Sequence, residues 1–262
     1  MPKITKDFTL IGRRALPSGS CLMSFITSDG SAIPELQPGQ FVEIKIDNAP
    51  RALLRRPISV CDVKYTSELV LFVKPVGQGT TTLTELEEGR KVNIMLPLGH
   101  GFTTDNSAGK RCLLVGGGVG AAPLVYLARE LKRKGAMVAV AIGGRTAADV
   151  EGVAGLYEAA DAVVVSTDDG SLGAKGVVTL NPIFNGGWDR IYCCGPTPMM
   201  KAVGRIAKER KIWCEVSLEN HMACGLGACL CCVENTDDRG NVCVCTEGPV
   251  FNINRLESWL KK

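Results

Sequence analysis

Half of the twelve cysteines fall in one short stretch, Cys224 to Cys245, and no other feature limits the chain as strongly. Cys224, Cys229 and Cys232 are spaced C-x4-C-x2-C, and Cys245 follows after twelve further residues. This is the spacing of plant-type [2Fe–2S] ligation. The residues around the first two sulfurs are small: Ala223, Gly225, Gly227 and Ala228. Small residues let backbone N–H groups approach cluster sulfurs, which stabilises the anionic cluster. Zinc ribbons instead carry paired C-x2-C knuckles, and here only Cys229/Cys232 has that spacing. A disulfide knot or idle thiols are the other readings. Cys231 adjoins Cys232 and Cys243 lies two before Cys245, so spacing alone leaves a swap open within each pair.

Twelve cysteines in a reducing compartment suggest metal or redox chemistry rather than disulfides. The scattered ones, Cys21, Cys61, Cys112, Cys193, Cys194 and Cys214, read as small core residues. The N-terminus lacks the apolar core of a secretory signal, and the longest apolar stretches are strand-sized. A soluble cytoplasmic protein is expected, with no membrane contact. A net charge of +3 with mixed signs is too dispersed for a nucleic-acid surface.

At 262 residues the chain suits two compact domains plus an appendage. Residues 1–103 look β-rich. Phe41 to Ile46 alternates apolar and polar as a half-buried strand does, and Leu69 to Val73 and Lys91 to Leu96 are further apolar runs. Short strands at this spacing predict a small antiparallel barrel. Polar composition around Thr103 to Lys110 marks a boundary. Over 104–210 the pattern is α/β: strands at Arg111 to Val115, Met137 to Ile142, Ala162 to Ser166 and Arg190 to Cys194, with helices at Pro123 to Lys134 and Pro198 to Lys208. Alternating strands and helices predict a parallel sheet. Residues 211–262 form the cysteine-rich third part. The expected fold class is therefore α/β plus β.

Gly116-Gly117-Gly118-Val119-Gly120-Ala121-Ala122-Pro123 follows a buried strand and opens a helix. Glycines there permit a sharp turn and close approach of a phosphate to helix N–H groups. A turn chosen only for tight packing is the alternative. The acidic residue usual about twenty positions on is missing; Arg145 follows the next strand and suits either a 2′-phosphate or solvent. Asp168, in Thr167 to Ser171, follows another strand and is placed to bind ribose hydroxyls or simply to form a turn. Arg55-Arg56-Pro57-Ile58-Ser59 joins two arginines to an apolar strand, where physics alone favours a surface pair.

Arg56-Pro57-Ile58-Ser59, Gly79-Thr80, Gly116 to Pro123 and Cys194-Gly195-Pro196 occur in an order that resembles the ferredoxin–NADP reductase superfamily. Met222 to Cys229, Cys232-Val233-Glu234 and Cys245 to Phe251 resemble more closely the electron-transfer subunits of bacterial type 1B dihydroorotate dehydrogenases. The resemblance covers nearly the whole chain. It implies a barrel holding FAD and an α/β domain holding NAD(H). Arg56 would lie at the FAD pyrophosphate, Pro57 and Ile58 beside it, and Ser59 near the isoalloxazine. Gly79 and Thr80 would meet the FAD phosphates, with Phe72, Val73 and Lys74 on the strand between. Gly116, Gly117, Gly118 and Gly120 would lie against the nucleotide, with Asp168 nearby and Cys194 as the catalytic thiol beside the nicotinamide. The family pattern selects Cys224, Cys229, Cys232 and Cys245 as cluster ligands. His100 stands where the family pattern leads one to expect Asn.

The resemblance also implies a role and a partner. Electrons would pass between NAD(H) and an FMN-containing dihydroorotate dehydrogenase catalytic subunit, two copies of each, in pyrimidine biosynthesis. Nothing in the chain itself looks like a dihydroorotate site. A subunit of another NAD(P)H:ferredoxin or sulfide-type oxidoreductase, and a zinc-bearing nucleotide-binding regulatory subunit, are the competing readings.

Overall fold

A computed structural model describes residues 2–47, 53–154 and 157–261. The first part is a closed antiparallel barrel of β1 (Ile4–Ala15), β2 (Cys21–Thr27), β3 (Phe41–Ile44), β4 (Arg56–Lys64), β5 (Glu68–Val73) and β6 (Lys91–Leu98). Its strand order is β1-β2-β5-β4-β3-β6. A short helix, α1 (Gln78–Thr84), links β5 to β6. On β5 the side chains of Leu69, Leu71 and Val73 fill the barrel, while Val70 and Phe72 pack outward into the next unit. Burial on both faces is why this strand is a continuous apolar run.

The expected half-buried strand at Phe41 to Ile46 differs in the structure. β3 stops at Ile44 and all four residues are buried, Glu43 included, at 1% exposure. Val42 and Ile44 point into the barrel. The other face is covered by the C-terminal part: Phe41 packs with Phe251, and Glu43 abuts the loop at Gly225.

The second unit is a seven-stranded sheet. Its elements are β7 (Arg111–Gly117), α2 (Pro123–Arg133), β8 (Met137–Gly144), α3 (Ala147–Ala154), β9 (Ala162–Thr167), β10 (Ala174–Lys175), β11 (Arg190–Cys194), α4 (Thr197–Glu209) and β12 (Trp213–Ser217). The order is β10-β9-β8-β7-β11-β12, all parallel, with β15 (Val250–Asn252) antiparallel at the β12 edge. Alternate residues of β7 feed two cores: Leu113 and Val115 one face, Cys112 and Leu114 the other. Leu124, Leu127, Ala128 and Leu131 of α2 are buried, as their spacing predicts. Full burial of each leucine contributes about 2 kcal/mol.

The remaining elements are the hairpin β13 (Val233–Thr236) and β14 (Gly240–Cys243), α5 (Val244–Glu247) and α6 (Glu257–Lys261). The expected start of a third part at 211 lies just before β12, which continues the sheet of the second unit, and β15 returns to it. The cysteine loop is thus an excursion between two strands of one sheet. β12 escapes a reading of apolar pattern because Glu215 interrupts it. Glu215 is buried and accepts hydrogen bonds from Thr103 N at 2.9 Å and Thr103 Oγ1 at 2.8 Å. The six scattered cysteines are all buried and free. Among the described residues no helix is long and apolar enough to cross a membrane.

Candidate functional site

The carboxyl ends of β7, β8, β9 and β11 border a cleft of about 550 Å³. Open parallel sheets bind ligands at this edge. Gly117, Gly118, Gly120, Arg145, Asp168, Gly195 and Pro196 line it, and Lys74 reaches it from the end of β5. A 3-10 turn, 118–121, separates β7 from α2. Tyr157 pins it by donating its hydroxyl proton to Ala121 O.

The glycines of this turn do different jobs. A Cβ on Gly116 would lie 2.5 Å from Ala121 Cβ, one on Gly117 2.6 Å from Pro196 Cδ, and one on Gly120 2.5 Å from Gly195 Cα. These three are needed for the protein's own packing. Gly118 has φ +54°, and a Cβ there would meet nothing within 4 Å, so it faces open cleft. Gly118 is the position where a phosphate can approach the backbone.

Asp168 lies in the cleft wall, whereas Asp169 is spent on the turn, accepting from Ser171 N at 2.9 Å and Ser171 Oγ at 2.6 Å. Arg145 stands at the cleft edge with its side chain 81% exposed and its Nε 3.8 Å from Asp149 Oδ2. Cys194 lies beneath the cleft, at 1% exposure, and burial pushes its thiol far up from the ordinary range. Its neighbours Gly195 and Pro196 form the surface instead. Glu219, which belongs to none of the sequence motifs, lines this cleft and also a smaller one of about 260 Å³ beside the cysteine loop. Burial raises its carboxyl above the usual range. Its only sequence signal is its place just past β12.

At the barrel, a Cβ on Gly79 would lie 2.6 Å from Arg56 Nε, so the Arg56 guanidinium rests on the first turn of α1. Arg55 is committed elsewhere, donating from Nη1 to Asn93 O at 3.0 Å. The pair of arginines therefore divides: Arg55 braces the barrel, while Arg56 lies on α1 and donates from Nη1 to Leu54 O at 2.6 Å. Thr80 Oγ1 accepts from Val76 N at 2.9 Å, which shapes the turn before α1. Pro57, Ile58 and Ser59 are partly exposed on β4. Phe72 and Val73 are buried in the two cores and pair with Leu22 and Cys21 of β2.

In the cysteine loop, Gly225 (φ +64°), Gly227 (φ +80°) and Leu230 (φ +58°) bend the chain back on itself. Leu226 N donates to Cys224 Sγ at 3.3 Å. Burial opposes ionisation of Cys224, but the amides of Leu226, Cys229 and Ala228 and the Cys229 thiol outweigh it and bring it down to about 6. Cys245 N donates to Cys232 Sγ at 3.4 Å. Among the described residues no three Cys, His, Asp or Glu side chains converge as around a single metal ion. Thiols with backbone amides aimed at the Cys224 and Cys232 sulfurs fit the anionic ligand set of a two-iron cluster. Cys231 is exposed and turns to the smaller cleft with His221 and Glu234.

The cysteine loop abuts Glu43 of β3, and Glu43 pairs with Pro57 of β4. The loop thus lies one strand from the residues expected at the flavin. The fold and this arrangement define a reductase-type electron carrier. The solved NADH-dependent reduced ferredoxin-NADP oxidoreductase structure is 28% identical, with a TM-score of 0.80 over 95% of this chain and 88% of that one. Phthalate dioxygenase reductase, at 21% identity and a TM-score of 0.62 over 78% and 64% of the two chains, shares the fold.

Residues 219–257 match the iron-sulfur cluster binding domain of dihydroorotate dehydrogenase B. The electron transfer subunit of dihydroorotate dehydrogenase B (NAD(+)) from Geobacillus thermodenitrificans is 40% identical over 88% of this chain and 91% of that protein. The one from Bacillus cereus (strain ATCC 14579) is 41% identical over 84% and 86%. The chain belongs to the family of dihydroorotate dehydrogenase B (NAD(+)) electron transfer subunits.

Proposed function

We propose that this chain carries electrons between NAD(H) and the FMN-containing catalytic subunit of a dihydroorotate dehydrogenase, by way of FAD and a [2Fe–2S] cluster. The observation that carries this reading is the packing of the cysteine loop on β3, next to the strand that bears Arg56 to Ser59. Bound FAD and cluster would supply the exchange between a two-electron donor and single electrons.

The chain's own residues bind and orient these groups. Arg56 offers its guanidinium to a pyrophosphate over the first turn of α1, and Gly79 gives it room. Gly118 admits a nucleotide phosphate, and Asp168 offers a carboxylate to ribose hydroxyls. Asp149 stands against Arg145, which offsets the charge a 2′-phosphate would seek and favours NAD(H) over NADP(H). Lys74 joins the barrel to the cleft, so flavin and nucleotide meet there. Cys224, Cys229, Cys232 and Cys245 hold the cluster, with the amides of residues 226–229 stabilising its charge.

The assembly would contain two copies of each subunit and act in the cytoplasm in pyrimidine synthesis. The test is anaerobic purification followed by mixing with an FMN-bearing partner. NADH should then reduce orotate only when both subunits are present. Protein lacking flavin and iron, or NADH-driven orotate reduction without this chain, overturns the reading.

A further inference from the structure

A fifth sulfur, that of Cys243, lies against the cysteine loop. Cys243 is the last residue of β14 and has extended backbone, with φ −81° and ψ 118°. Cys232, Val244 and Cys245 are buried in one core cluster at the start of α5, and the Cys243 side chain packs against that cluster. The Cys243 thiol donates to Gly227 O at 3.6 Å, and Gly227 is the middle of the turn that joins Cys224 to Cys229. Cys243 also pairs across the hairpin with Val233, the residue after Cys232, and Val244 N donates to Cys232 O at 3.0 Å. The other spare sulfur behaves differently. Cys231 is exposed and lines the small cleft with His221 and Trp259.

The two ambiguities left by the spacing are therefore unlike. Within Cys231/Cys232 the fold separates the sulfurs to opposite sides. Within Cys243/Cys245 both residues stay at the cysteine loop, Cys243 against Gly227 O and Cys245 N against Cys232 Sγ.

We propose that Cys243 is a reserve cluster ligand that takes the iron position of Cys245 when that bond opens. The proposal rests on the two-iron reading of this site. In the exchange, the Cys243 thiol gives up its proton and its sulfur bonds the iron. The iron–sulfur bond to Cys245 breaks and that sulfur takes up a proton. No electron moves, so no oxidant or reductant is required. The consequence is retention: an iron that loses Cys245 is recaptured before it leaves.

The test uses the full chain, purified anaerobically with FAD, as wild type and as Cys243→Ser, Cys231→Ser, Cys245→Ser and Cys243→Ser/Cys245→Ser. Iron, acid-labile sulfide and the electron paramagnetic resonance of the reduced protein are measured. Cys245→Ser should retain about two irons per chain with a shifted resonance, and the double variant should lose them. Loss of cluster to a chelator should be about tenfold faster in Cys243→Ser than in wild type, and unchanged in Cys231→Ser.

Cys245→Ser as empty as the double variant, with flavin retained, overturns the proposal, as does a double variant that stays loaded. Should the Cys245 variants fail to fold, the chelator rates of wild type and Cys243→Ser decide alone, and equal rates overturn it. Wild-type protein free of iron would instead overturn the two-iron reading itself.

Discussion

Arg129 of α2 and Asp62 of β4 meet with Nη1 and Oδ1 2.8 Å apart, across the junction of barrel and sheet. Arg129 also donates from Nη2 to Val63 O at 2.6 Å and lies over the Tyr126 ring. Asp62 is only 8% exposed. Burial raises its carboxyl, and the Arg129 charge acts against that rise. Arg129→Met should therefore strand a buried carboxylate and destabilise the protein by about 2 kcal/mol, less than for a fully buried pair because the arginine is partly solvated. Thermal unfolding should show it as a fall of about 4–8 °C. The double variant Asp62→Asn/Arg129→Met should lose less than the two single variants summed. Additive losses would show that the pair is not coupled.

The glycine-rich turn gives a second pair of contrasting outcomes. Gly120→Ala forces a Cβ to within 2.5 Å of Gly195 Cα, which is backbone and cannot step aside. It should destabilise the fold by about 2–3 kcal/mol. Gly118→Ala meets no atom and costs only the strain of a positive φ, about 1 kcal/mol. Its effect should fall on nucleotide affinity, through the methyl group at the open cleft. Chemical denaturation and NADH titration together separate the two. A Gly118→Ala protein with unchanged affinity would take this turn out of the phosphate site.

How much of the molecule is legible in its sequence depends on how local each signal is. The barrel, the helix at Pro123 and the strands at Arg111 and Met137 are announced by apolar runs and periodicity, and the structure has them where expected. The cysteine spacing likewise points to an iron–sulfur segment, and residues 219–257 match that domain family. What stays hidden depends on partners distant in the chain. Glu43 reads as a solvent-facing residue, and its burial comes from the loop at Gly225. β12 is masked by Glu215, whose burial is licensed by Thr103. Cys194 carries a motif that suggests a reactive thiol, yet its side chain belongs to the core, and only the following glycine and proline reach the cleft. Glu219 has no motif of its own and is found only because the sheet edge delivers it there.

Glu43 itself offers a third test. Both of its carboxyl oxygens are buried without a hydrogen-bond partner among the described residues. An unpartnered polar group out of water is costly, and an apolar residue of similar volume often stabilises such a site. Glu43→Met should raise stability to unfolding by about 1–3 kcal/mol. Urea denaturation measures it, and a variant no more stable than wild type would show that the carboxyl has a compensating partner.

Glu215 makes the stability depend on pH in a defined direction. Burial raises its carboxyl, and the Thr103 amide and hydroxyl and the Arg190 charge only partly offset this. The folded protein therefore keeps the proton to a higher pH than the unfolded chain does, and folding binds a proton in between. The stabilisation linked to that proton is fully present below the ordinary glutamate pKa. It is lost as pH rises through the folded-state value. Glu219, also raised by burial, adds to the same trend. Urea unfolding from about pH 4 upward should thus show a falling contribution across the region just above the usual carboxylate range. Glu215→Gln should flatten this slope, because its side chain does not titrate. It should also cost about 1 kcal/mol at all pH values, since the amide nitrogen cannot accept from Thr103 as the second carboxylate oxygen does. A variant whose slope matches wild type would move the pH dependence to other groups.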